Sequence, residues 1–211
     1  MKSDMELQHV NVKLFLDPSL NLDLWEVIPV FHSWIQSQVF EELLIDVADY
    51  RHVPAGPGIV LVGHEADYSV DNSENRLGLR YNRKSKVSGT NQDRLCQALR
   101  AALIACERLE ADNRLKGQIQ FGRNELKVFV NDRHLVPNVE SSYESVEPEI
   151  NLFFADLLTG EDFVLHREDD PRNLFGLTVK AGHKFEIKEL LKKLSGKVSA
   201  PILNSSREQL S

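Results

Sequence analysis

Apolar residues recur along this chain with two periods, and the switches between them mark its elements. Val10 to Leu16 alternates as a strand does, and Asp17-Pro18 stops it. Asp23 then opens a helix, with Glu26 three residues on as the other half of a capping box. Leu24, Val27, Ile28, Phe31 and Ile35 repeat at helical spacing and predict a buried stripe. Pro29 lies inside it and should kink the helix or confine its regular part to one side. Leu43 to Val53 reads as a strand, followed by the stiff turn Pro54-Ala55-Gly56-Pro57-Gly58. Ile59 to Val70 reads as one long apolar strand, paired across Asp71–Asn75 with Arg76–Asn82.

Thr90 should cap the next helix, with Asp93 in its first turn. Its apolar stripe is Leu95, Leu99, Ala102, Leu103, Cys106 and Leu109. Residues 118–121 and 126–130 flank Gly122-Arg123-Asn124, a hairpin signal. A third helix is expected from about Ser145 to Leu158, ended by Gly160. Phe163–Arg167 and Leu174–Lys180 read as strands, and Glu186–Leu194 as a short helix ended by Gly196.

These elements imply an α+β fold, with a mixed or mostly antiparallel sheet and two to three helices packed on one face. The domain should span 1–196, with 197–211 as a polar C-terminal tail. Two stretches, 10–70 and 126–182, read alike as β-α-β-β units. Gly63-His64 and Gly182-His183 recur near their ends, and a helix proline recurs as Pro29 and Pro148.

Composition bounds the class. Hydrophobic residues are 42% and charged residues 27% of 211, which excludes disordered, collagen-like and coiled-coil chains as whole-chain readings. No apolar run is long enough to span a bilayer, and the first residues lack the apolar core of a signal peptide. The cysteines, Cys96 and Cys106, fall on one predicted helix. Ten residues at a rise of ~1.5 Å place them about 15 Å apart, too far for a disulfide. A cytoplasmic location is expected.

Charge gives the first candidate site. Residues 76–94 hold Arg76, Arg80, Arg83, Lys84, Lys86 and Arg94 against Asp93 alone, in a chain of net charge −7. Ser88, Gly89 and Thr90 precede a helix, where free backbone N–H groups and the helix dipole favour an anion. The expected anion-binding set is therefore Arg80, Arg83, Lys84, Lys86, Ser88 and Thr90. The competing reading is a solvated loop whose charges keep a strand edge from pairing.

The second candidate is His64, Glu65 and Asp67. On one strand Glu65 and Asp67 would share a face, about 7 Å apart, in reach of acid–base work. The competing reading is a strand leaving the core with its charged face outward. A third, acidic cluster of Glu140, Glu144, Glu147 and Glu149 could meet the basic segment of another copy and favour a homodimer.

No zinc spacing, nucleophile elbow or dinucleotide fingerprint is present, so neither a metal nor a cofactor is expected. The expected function is a soluble non-catalytic binding or accessory protein that contacts an acidic partner or anionic ligand through residues 76–94. The alternative is a small enzyme acting on a phosphorylated or carboxylated metabolite. Nucleic acid ranks third, because the basic segment is short and carries one aromatic, Tyr81. No membrane partner is expected.

Overall fold

The computed structural model describes residues 5–159 and 162–196. Its first half runs β1 (Val10–Leu16), α1 (Val27–Ser37), β2 (Leu44–Tyr50), β3 (Gly58–Gly63), β4 (Ala66–Asp71), β5 (Gly78–Arg83) and α2 (Asn91–Ala111). The second runs β6 (Phe121–Val130), α3 (Glu140–Leu157), β7 (Phe163–Arg167), β8 (Gly176–Ala181) and α4 (Ile187–Ser195). The eight strands form one antiparallel sheet in the order β2-β3-β4-β5-β1-β6-β8-β7. This is the α+β arrangement the pattern implies. No described helix is long and apolar enough to cross a membrane.

Alternation decides which side of the sheet is dry. Val12, Leu14, Leu61, Tyr68, Leu79, Tyr81, Val128 and Leu177 project to the helix side and are buried there. Helix α2 lies over β1 and β5 and touches α3 and α4. Its predicted stripe, Leu95 to Leu109, is buried throughout. Cys96 and Cys106 are both buried on this helix, and neither is in a disulfide. The Cys96 thiol lies 3.6 Å from the Leu194 carbonyl of α4. Burial raises the Cys106 thiol well above its ordinary value.

Several expectations are corrected. Residues 59–70 form two strands, because the chain reverses at His64-Glu65 and Val62 pairs with Asp67. Residues 121–130 form one strand instead of a hairpin, since β6 runs its whole length beside β1 with an irregularity near Leu16. Asp23 accepts the Trp25 N–H at 2.9 Å, but its own N–H donates to Gln118 Oε1 at 3.3 Å, so Glu26 does not close a capping box. Pro29 sits in the first turn of α1, where its missing N–H costs little. Helix α3 starts at Glu140, five residues before the expected start, and carries Pro148 inside it. The expected end at Gly160 and the tail 197–211 lie outside the described residues.

Strands β1 and β6 are antiparallel neighbours at the centre of the sheet. Outward from them lie β5 and β4 on one side, and β8 and β7 on the other. The topology thus sets β4-β5 opposite β7-β8, with the β2-β3 hairpin as an addition to the first half. In that correspondence Gly63-His64, between β3 and β4, and Gly182-His183, after β8, occupy different places.

Candidate functional site

The two candidate sites converge on each other. Arg83, at the end of β5, reaches Glu65 in the β3–β4 turn (2.9 Å), and Lys84 reaches Asp67 on β4 (2.7 Å). Lys84 also donates to the Gly63 carbonyl at 2.6 Å, and Asp67 accepts the Gly63 N–H at 3.2 Å. The antiparallel pairing of β4 with β5 brings these groups together, as Ala66 faces Arg83 and Asp67 faces Asn82. Glu65 lies in the turn and Asp67 on the strand, so they do not form the expected carboxylate pair on one face. His64 is exposed in the same turn.

Beneath these pairs lies a polar cluster on the helix side. Tyr68 Oη donates to Glu42, and Tyr81 Oη accepts from Gln97 at 2.7 Å. Burial pushes Glu42 above the ordinary carboxylate value, against the pull of its Tyr68 hydrogen bond. Burial and the Glu42 charge raise both tyrosines, Tyr81 to about 12. Burial would lower Arg83, yet Tyr81 and Glu65 carry it above its ordinary value.

The helix N-terminus expected to take an anion already holds one. Thr90 caps α2 in a full capping box, and Asp93 Oδ2 accepts the Thr90 N–H at 2.7 Å. That contact holds Asp93 below the ordinary carboxylate value, through hydrogen bonds from Thr90. Ser88 and Thr90 are exposed, and so is Lys86. Arg94 turns inward to Glu6 (2.6 Å) and to the Val87 carbonyl. The acidic cluster is also engaged within the chain. Glu140 and Glu147 each meet Arg167 at 2.7 Å, and buried Glu149 accepts from Asn91 at 2.8 Å.

Arg80 belongs to a different place. It projects to the side of the sheet opposite the helices, where the register sets three cations in a row on adjacent strands: Arg80, Lys13 and Lys127. Like charges on neighbouring strands repel, so this row needs carboxylates. Loops supply them. Asp71 accepts from Lys13 at 2.5 Å and lies 3.6 Å from Arg80. Glu74 and Glu168 meet Lys127 at 2.5 and 2.7 Å. Ser73 adds its carbonyl and hydroxyl to Lys13 at 3.1 and 3.2 Å. Glu74 and Asn75 reach across with left-handed backbones, φ 61° and 55°.

Burial lowers the Lys13 ammonium below its ordinary value despite Asp71. Lys127 goes the other way: burial opposes its charge, but its Glu168 and Glu74 hydrogen bonds raise it overall. Arg80 also stretches across β1 to lie 4.7 Å over the Phe129 ring on β6. Asn11 on β1 lies between Asn82 and Phe129 in the register and is fully buried.

Sequence reasoning missed Asn11, Lys13, Asp71 and Lys127. A lysine at an alternate position of a strand reads as solvent-facing, and only the order of strands shows that β1 and β6 are central. A cavity of about 290 Å³ opens beside this face, lined by Phe15, Asp17, Leu20, Asn72, Asn75 and Arg76 among others. Another of about 200 Å³ lies beside Tyr143 and Arg167. His64, Glu65 and Asp67 line neither. Among the described residues, no group of three or more His, Cys, Asp or Glu side chains could hold a metal ion. No protein-family model, no curated protein and no solved structure matches the chain.

Proposed function

We propose that the chain is a non-catalytic binding protein, which meets an acidic partner or an anionic ligand through its basic 76–94 segment. The observation that carries this reading is the pairing of Glu65 with Arg83 and of Asp67 with Lys84. It engages the carboxylates that an acid–base mechanism would need, on a surface away from both described cavities. Lys86 and Ser88 face outward beside them, and Lys84 and Thr90 are exposed although Asp67 and Asp93 engage them, a strip that favours contact over chemistry. The enzyme alternative, acting on a phosphorylated or carboxylated metabolite, needs His64 turned into a closed pocket, and His64 is exposed. A cytoplasmic location fits two buried cysteines outside any disulfide. A homodimer of acidic patch on basic segment has less support, because Arg167 and Asn91 already hold most of that patch.

The test is fluorescence anisotropy with a labelled glutamate-rich peptide, at low and moderate salt. Binding by the wild type should weaken with salt and fall several-fold in a Lys84→Ala, Lys86→Ala variant. Equal binding by the two proteins would sink this reading. Turnover of a phosphomonoester that His64→Ala abolishes would install the enzyme alternative.

A further inference from the structure

Asn11 is the least explained polar group in the described chain. Its side chain is fully buried, and among the described residues neither Nδ2 nor Oδ1 has a hydrogen-bond partner. A buried amide with nothing to bond is costly, and native interiors rarely keep one without a reason. Asn82, one strand away, does not serve it: its Oδ1 accepts from Asn131 at 3.3 Å, and its Nδ2 reaches Asp67 at 3.4 Å. Arg80 reaches from β5 to the position beside Asn11 on β6. Its guanidinium rests on Phe129, the cross-strand neighbour of Asn11, and its Nε is likewise buried without a partner. Among the described residues its carboxylate contact is with Asp71, long at 3.6 Å, while Asp71 serves Lys13 and Ser73 at shorter range.

We infer that Asn11, Arg80 and Phe129 form a closed site for a small oxyanion that itself carries a hydrogen-bond donor, monohydrogen phosphate being the simplest. The inference deepens the binding reading above and rests on it. Two donors stand unused, Asn11 Nδ2 and Arg80 Nε, and each suits an anionic oxygen. One acceptor stands unused, Asn11 Oδ1, and it requires an O–H. A fully deprotonated anion would leave that acceptor orphaned; phosphate, which keeps a proton at neutral pH, would not. Lys13 and Lys127 flank Asn11 along β1 and β6 and add positive potential, offset by Asp71, Glu74 and Glu168. Arg80, which rests on Phe129, has a side chain about a quarter exposed (24%) and is the group an entering anion would meet.

Titration calorimetry with inorganic phosphate and with sulfate, at matched ionic strength, tests this directly. The proteins are the wild type, Arg80→Gln, Asn11→Leu and the Lys84→Ala, Lys86→Ala variant. The wild type should bind phosphate at least roughly tenfold more tightly than sulfate, since only phosphate satisfies the Asn11 acceptor. Arg80→Gln and Asn11→Leu should each lose that binding, and the loop variant should keep it. Asn11→Leu removes an unpaired amide at similar volume, so its melting temperature should equal or exceed that of the wild type. No phosphate binding, or equal affinity for the two anions, would overturn the inference. Phosphate binding lost in the loop variant and kept in the other two would also overturn it, by placing the anion at residues 84–90. The peptide experiment above reads the loop alone, so failure there and failure here are distinguishable.

Discussion

Two sets of ion pairs in this molecule use the same residue types and differ in depth. Arg83–Glu65 and Lys84–Asp67 each have one partner open to water, Glu65 at 47% and Lys84 at 37%, against Arg83 at 12% and Asp67 at 20%. Lys13–Asp71 lies at the sheet centre, with exposures of 3% and 1%. Water screens the first set, so each pair contributes only ~0–1 kcal/mol. The second set has no water to fall back on, so removing one partner strands a buried charge. The surface set can therefore exchange its partners for a ligand at small cost, and the central set cannot.

The largest effect should come from breaking the central pair on one side. Asp71→Ala leaves Lys13 uncompensated beside Arg80 and Lys127, and should cost about 3–5 kcal/mol in a urea melt. A Lys13→Met, Asp71→Leu double variant should recover most of that loss. If the double variant is as unstable as the single one, the loss belongs to the packing of the 72–76 loop instead of to charge.

Next in size is the cap of α2. Thr90→Ala removes the acceptor for the Asp93 N–H and should cost about 1 kcal/mol, read as a lower urea midpoint at unchanged slope. Glu42→Gln is an intermediate case, a half-buried carboxylate whose hydrogen-bond partner is a tyrosine. Its folded value lies above the ordinary 4.5, so the wild type loses stability as pH rises from about 4.5 through that folded value. Glu42→Gln should therefore be more stable than the wild type at pH 7 and lose that advantage at pH 4. An advantage that does not change with pH would show that ionisation plays no part. The smallest effect belongs to Asp67→Asn, which should move stability by under ~1 kcal/mol, and less again in 0.5 M salt.

Legibility followed the range of the interactions. Helix α2, its Thr90 cap and its stripe were readable because the bonds that make them span three or four residues. Strands β1 and β7 were readable from alternation over Val10–Leu16 and Phe163–Arg167. The hairpin at His64-Glu65 was not, because Gly63-His64-Glu65-Ala66 carries no strong turn pair between the apolar residues on either side. Gly122-Arg123-Asn124 carried a turn signal that β6 overrides by pairing with β1. The start of α3 was hidden because its N-cap is Val139, whose side chain makes no capping hydrogen bond and so leaves no local start signal. The candidate residues Arg83, Lys84, Glu65 and Asp67 were legible as charges but not as one another's partners. That relation depends on the register of β4 with β5. Asn11 carried no local signal, because its meaning depends on an arginine 69 positions away in the chain.

The two cysteines on α2 make the molecule a natural clock for its own opening. Cys96 lies under α4, and Cys106 lies in the main core with no exposure. A thiol-reactive dye should leave both alone while the chain is folded. It should mark Cys96 whenever α4 lifts, and Cys106 only when the whole sheet lets go. The ratio of the two labelling rates measures how independently the last helix moves. Because both thiols are buried in the folded chain, a single cysteine placed on the 84–90 loop should accept a probe well before either of them.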